Sequence, residues 1–279
     1  MWLAVDAGGG AAGGVRAWPV GGEGSAGAAI SAPDLPAVLA RLDARPEFAV
    51  LDGAEEAGAL TVPCAIADLA EAVLRRLGGV DCVILPRLKQ DGAALGGVAR
   101  LAGALRRMRA ERPAAKAGHV CVVGRGVEWA HEADGRITGL RRFAAGERLA
   151  ALLGQQPVKN AGGSDEDDDV AFERGLSLAG DGGDPSPAIA AVLKEAAAGE
   201  RRGGALGAML AGVLVGADAA LGLKMGRLGG PIALVGPADP RLGLMAQRYA
   251  VALGRFGVAV RCLDGVESFI GGCRALAMG

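Results

Sequence analysis

The stretch VDAGGGAAGGVRAW, Val5 to Trp18, carries an aspartate from an apolar run into a glycine turn and returns to a second apolar run. Trp2 to Val5 predicts a strand, and Val15 to Val20 predicts the returning strand of a hairpin. Glycines lacking Cβ let backbone N–H groups approach an anion closely. A carboxylate such as Asp6 can hold the water shell of Mg2+ beside phosphates. A strand, an acid and a phosphate-sized turn at Gly8 to Gly10 point to a nucleotide site. With 48 glycines in 279 residues the turn is not specific by itself, and a plain loop is the competing reading.

Composition narrows the class. Apolar residues make up 51% of the chain and charged ones 22%, enough to bury a substantial core. Aromatic content is 3%, so that core must be packed from Leu, Val, Ile and Ala. A net charge of -1 and a pI near 6.2 give no global field for nucleic acid or an anionic bilayer, and favour a specific small ligand. Cys64, Cys82, Cys121, Cys262 and Cys273 are odd in number and widely spread, which reads as reduced thiols. With His119 and His131 the only histidines, a structural zinc site is not expected. No basic stretch followed by a long apolar one opens the chain, so the expected compartment is the cytoplasm. Gly204 to Leu223 is long enough to span a bilayer and carries Gly212 and Gly216 at GxxxG spacing, yet Asp218 interrupts it. A buried core helix is the expectation, with no membrane partner.

Along the chain, Pro36 to Asp43 predicts a short helix, Glu47 to Leu51 a strand, Ile66 to Leu77 an amphipathic helix, Asp81 to Leu85 a strand and Ala93 to Ala110 a helix. Pro113 sits in the best candidate boundary, Arg112 to Ala117. Then the opening grammar repeats. Val120 to Val123 enters a Gly-Arg-Gly turn, and Val127 to His131 with Arg136 to Leu140 forms a hairpin around Asp134-Gly135. Helices are expected at Gly146 to Leu153, Pro187 to Ala198, Gly204 to Leu223, Pro240 to Gly254 and Val266 to Met278. Strands are expected at Ile232 to Val235 and Val258 to Leu263. The acidic run Ser164 to Asp169 reads as a solvated loop rather than a metal site, because consecutive carboxylates diverge and repel. Two lobes that each begin strand, glycine turn, strand imply a duplicated α/β fold with a cleft between residues 1–115 and 116–279.

The order of motifs resembles the 2-dehydro-3-deoxygalactonokinases, sugar-acid kinases with the two-lobed, actin-like ATPase (ribonuclease H-like) fold. The resemblance lies in VGRGVEW around Gly124 and Trp129, FAAGERLAALL with Gly146 and Glu147, VAFERGL with Phe172, and MLAGVLVGADAA at Met209 to Ala220. It continues through IALVGPADPRLGLMAQRYAVAL at Ile232 to Leu253 and LDGVESFIGGCRALA at Leu263 to Ala277. In the first half it rests on VDAGGG and VRAW.

The resemblance implies ATP and Mg2+ as cofactors and a small sugar acid as substrate, the γ-phosphoryl group passing to a hydroxyl of 2-dehydro-3-deoxy-D-galactonate. It casts Asp6 as the metal-side catalytic acid and Glu147 as a second catalytic acid. Gly8, Gly9, Gly124, Arg125, Gly126 and Gly236 become nucleotide contacts, and Arg16 a substrate contact. The chain departs from the family in having no hydroxyl residue after Asp6, and Arg125, Gly126 and Glu128 where threonine, histidine and lysine are usual. LDGAEEAG at Leu51 to Gly58 and LKQDGAALGG at Leu88 to Gly97 stand where two further family motifs belong, without their chemistry. The general base is open between Asp52 and Asp91. A relative that keeps the scaffold without phosphoryl transfer, and a kinase for another sugar acid, are the alternatives. A monomer or homodimer is expected.

Overall fold

The computed structural model describes residues 1–7, 14–54, 58–91, 93–95, 97–124, 126–154, 168–180, 183–198, 203–228, 230–237 and 243–278. The first half contains β1 (Trp2–Asp6), β2 (Val15–Val20), β3 (Ile30–Ala32), α1 (Leu35–Leu39), β4 (Phe48–Asp52), β5 (Ala59–Thr61) and β6 (Cys64–Ala65). A 3-10 helix (Ile66–Ala70) leads to β7 (Val73–Leu77), β8 (Val80–Ile84), β9 (Arg87–Gln90), β10 (Ala93–Leu95) and α2 (Val98–Glu111). The second half runs β11 (Ala117–Val123), β12 (Val127–Ala133), β13 (Arg136–Phe143), α3 (Ala145–Gly154), α4 (Asp168–Ala179), α5 (Ser186–Ala197) and α6 (Gly203–Leu223). It closes with β14 (Ile232–Val235), α7 (Gly243–Arg255), β15 (Val260–Leu263) and α8 (Gly265–Met278).

The repetition in the sequence is a repetition in topology. The first sheet has the order β3-β2-β1-β4-β8-β7 and the second β15-β14-β11-β12-β13-β6. In each, a three-strand antiparallel meander (β1-β2-β3, β11-β12-β13) is extended by two parallel strands (β4 and β8, β14 and β15). Strands β10, β9 and β5 form a small third sheet. Two segments pass between halves: β6 pairs with β13, and α8 packs along α2.

Side-chain alternation sorts the layers. Trp2, Ala4, Trp18 and Val50 of the first sheet and Val120, Val122, Ala130 and Leu140 of the second share one core with α2 and α8, so these two helices lie between the sheets. Leu3, Val5, Ala17 and Leu51 face the opposite way, onto α1. Cys121, Val123, Trp129 and Leu234 face α4 to α7. Within this layer α2 and α8 nearly touch: a Cβ on Gly103 would strike the Ser268 carbonyl, and one on Gly272 the Ala99 carbonyl.

α6 is a core helix. Of its most apolar window, 83% is buried, and Gly212 and Gly216 press against α4 at Phe172 and Ala179. The GxxxG spacing thus serves an intramolecular helix crossing. Asp218 is accommodated by the Tyr249 hydroxyl, which donates to it at 3.1 Å; burial pushes Asp218 up to about 6.

Three expectations need correction. Ile66 to Leu77 is not one helix: after the 3-10 turn, Val73–Leu77 is an edge strand. Gly78 and Gly79 both have positive φ (58° and 78°), closing a two-residue hairpin into Val80. Ala93 to Ala110 divides into β10 and α2, and Asp91 with φ 48° turns β9 into β10. The acidic run is not wholly a loop, since Asp168 and Asp169 form the first turn of α4, where carboxylates favour the positive end of the helix dipole; its other residues lie outside the described ones. The Asp134-Gly135 hairpin forms as expected, with φ of 48° and 81°.

Candidate active site

The site begins as a row across the first sheet. Register places Arg16 on β2 opposite Asp6 on β1, and Asp6 beside Asp52 on β4. Alternation from Trp18, Ala4 and Val50 turns all three toward α2. Two parallel strands therefore deliver two carboxylates to one edge.

α2 completes the row. Gly97 precedes it without a capping side chain, and Asp52 substitutes: its two carboxylate oxygens accept the Val98 and Ala99 N–H groups at 3.1 Å each. Gly97 is tight against Asp52, since a Cβ there would lie 3.0 Å from Oδ2. One turn into the helix, Arg100 donates to Asp6 at 2.5 Å, and its guanidinium lies 5.2 Å from the Phe269 ring of α8. Burial pulls this guanidinium down, but the Asp6 carboxylate, helped by Asp52 and Glu128, outweighs it and holds Arg100 above its ordinary value. Asp52 goes the other way. Burial first, then the Asp6 charge, push it up to about 7 against the two amides and Arg100. Asp52 thus titrates near neutrality.

Glu128 belongs to β12 in the second half, and it acts on the same Arg100 as Asp6 in the first. The edge carrying Asp6 and the hairpin after Gly124 therefore face one junction. In that hairpin the Gly124 N–H donates to the Gly126 carbonyl at 3.0 Å, and Arg142, in register with Glu128, lies beside Gly126.

Of the sequence-derived site residues, Asp6, Arg16 and the Gly124–Gly126 turn are placed around this junction, while Gly8, Gly9 and Arg125 lie outside the described residues. Arg16 has a buried Nε with no hydrogen-bond partner, and its guanidinium stands 5.8 Å from the Trp18 ring. Glu147 is exposed in the first turn of α3, 3.8 Å from Arg142. Gly236 ends β14, donates to the Leu263 carbonyl at 2.9 Å and meets Gly265 at the start of α8. Asp91 is an exposed turn residue of the small sheet. Sequence reasoning missed Arg100 as a site residue and left Asp52 undecided. The available signal was FAVLDG at Phe48 to Gly53, which repeats the strand, acid and glycine grammar of the chain's opening.

The donor chemistry fits a magnesium nucleotide. Among the described residues no group of three or more His, Cys, Asp or Glu forms a ligand set. Mg2+ is commonly held by one or two carboxylates with phosphate oxygens and water supplying the rest, and Asp6 and Asp52 are the carboxylates at this edge.

A sequence profile described as 2-keto-3-deoxy-galactonokinase matches residues 51–276. The chain belongs to that family. Family members are sugar kinases, phosphotransferases that use ATP and typically Mg2+. A crystal structure from Sinorhizobium meliloti, of a protein provisionally assigned as a 2-dehydro-3-deoxygalactonokinase, superposes with a TM-score of 0.76 at 24% identity. It covers 99% of this chain and 98% of that one, so the two share one fold. A ROK family protein from Streptococcus pneumoniae TIGR4, solved with sucrose, aligns at 14% identity and a TM-score of 0.39 over 99% and 97% of the two chains. No curated protein sequence matches the chain.

Proposed function

We propose that this member of the 2-keto-3-deoxy-galactonokinase family is an ATP-dependent kinase of 2-dehydro-3-deoxy-D-galactonate or a closely related sugar acid. The observation that carries the reading is Arg100, ion-paired to Asp6 of the first half and within the electrostatic reach of Glu128 in the second, so that the acidic end of β1 and the β12 hairpin border one junction. ATP would lie across the junction of residues 1–115 and 116–279. Its phosphates would meet the turns at Gly8, Gly9, Gly124, Arg125 and Gly126, and its adenosine end the Gly236 side.

Mg2+, held at Asp6, would neutralise phosphate charge. Arg16, with an unsatisfied buried Nε beside Asp6, suits the carboxylate of a sugar acid. The substrate hydroxyl oxygen forms a bond to the γ-phosphorus as the bond to the bridging oxygen breaks, and ADP leaves. The hydroxyl proton passes to Asp52, which burial and the neighbouring Asp6 charge push up to about 7. Glu147 stays at the rim, orienting Arg142. The test is turnover of purified protein with Mg-ATP and a panel of 2-dehydro-3-deoxy-aldonates. Phosphorylation of the galactonate compound or a near relative supports the reading, and no turnover across the panel overturns it.

A second reading has its own observation: Asp6 is engaged by Arg100 and both oxygens of Asp52 by helix amides. A relative that binds without phosphoryl transfer would keep this arrangement. It predicts that Mg-ATP raises the melting temperature while every sugar acid remains unconverted.

A further inference from the structure

We propose that Arg142 adds a positive charge at Gly126 of the second glycine turn and contacts the phosphate tail of the nucleotide. The inference rests on the kinase reading above and adds a binding residue to it. On β12 and β13, the cross-strand pairs Ala130–Leu140 and Glu128–Arg142 occupy one face, because side chains alternate along a strand. Ala130 and Leu140 are part of the core shared with α2 and α8. Arg142 therefore emerges on the face that looks at the first lobe, one pair further toward the turn, and not on the Trp129 face packed against α6.

The turn is shaped around it. Gly126 has no side chain where a Cβ would stand 2.8 Å from Arg142 Nε and 3.3 Å from Nη2. The guanidinium thus lies against Gly126, whose carbonyl accepts the Gly124 N–H at 3.0 Å. Glu128 faces Arg142 across the strands, and Glu147 stands 3.8 Å from its Nη2, an ion-pair distance longer than a hydrogen bond. The Glu147 carboxylate orients the head group electrostatically. At 44% side-chain exposure it is still open to a ligand. A planar fork of five N–H donors held at a glycine turn suits a polyphosphate, which accepts several such bonds at once.

The test compares Mg-ATP with AMP by calorimetric titration of the full chain. Arg142→Gln should weaken Mg-ATP about tenfold, the loss expected of a charge-assisted contact, and leave AMP within about twofold. Gly126→Ala, which keeps the charge but pushes the guanidinium off the turn, should weaken Mg-ATP in the same direction, and Arg142→Lys should fall between wild type and Gln. Melting curves of ligand-free Arg142→Gln and Arg142→Lys should match wild type, since Arg142 is exposed. If Arg142→Gln binds Mg-ATP as wild type does, or loses ATP and AMP equally, Arg142 is not the phosphate contact. If wild type itself ignores Mg-ATP, the kinase reading fails first and this assignment with it.

Discussion

Asp6 and Asp52 stand side by side at paired positions of the parallel strands β1 and β4, one ion-paired to Arg100 and the other seated on the first amides of α2. Two carboxylates in such proximity cannot both ionise freely. The burden falls on Asp52, which is almost fully buried and pushed up to about 7.

Stability should therefore decline as pH rises from about 4 to about 7. The folded state keeps the Asp52 proton through this window and the unfolded state, with an ordinary carboxyl value of 3.8, has released it. Protons bound to the folded form exceed those on the unfolded form, so the stabilisation is complete below the unfolded value and is lost through the folded one. Urea unfolding of wild type against Asp52→Asn checks this, the variant losing that part of the slope.

His119 contributes the opposite slope. Burial, with the neighbouring His131 ring 4.5 Å away, lowers it to about 4, and neither of its ring nitrogens has a hydrogen-bond partner. Its contribution is present above the ordinary 6.5 and is lost as pH falls toward 4. His119→Phe should match or exceed wild-type stability at pH 7, because an unsatisfied buried group costs about 1–3 kcal/mol. It should also abolish this acid-side loss, measured as the urea midpoint between pH 7 and pH 5.

Replacing Arg100 by Met takes from Asp6 the cation it holds at 2.5 Å, and breaking a buried pair costs about 3–5 kcal/mol. Adding Asp6→Asn to that variant should recover most of the loss. A double-mutant cycle in urea measures the coupling, and additive single effects would show that the pair is not the source.

Adjacent glycines of α8 should respond with opposite signs. Gly271 has nothing within 4 Å of a would-be Cβ, so Gly271→Ala should gain up to about 1 kcal/mol of helix propensity. Gly272→Ala drives a methyl into the Ala99 carbonyl of α2 and should lose about 1–3 kcal/mol. Chemical denaturation of both variants reads the difference.

The duplicated architecture was legible because its hairpins announce themselves: VDAGGG and Asp134-Gly135 stand between apolar runs whose period is that of strands. The Val73–Leu77 strand was not, since VLRRL at an exposed sheet edge lacks the alternation that burial on one face imposes, and only Gly78-Gly79 marked it. Within the site, Asp6 could be read locally, as the acid between a strand and its turn. Arg100 could not. It sits 94 residues from the carboxylate it binds, in a helix whose arginines look alike in one dimension, and only the stacking of α2 over the sheet selects it. The Arg142 contact with Gly126 depends likewise on β12–β13 register rather than on any local motif.

α2 is fastened at both ends. Asp52 of the first sheet grips its opening amides, and near its other end Arg109 is ion-paired at 2.7 Å to Glu132 of the second sheet. The rise of 1.5 Å per residue from Val98 to Arg109 separates the fastenings by about 16 Å. A rod tied to a different plate at each end resists being drawn lengthwise yet permits a twist. Closure of the lobes on a ligand would then be a swivel about this rod, with the acid pair close to the pivot, where the displacement of the reacting groups is smallest.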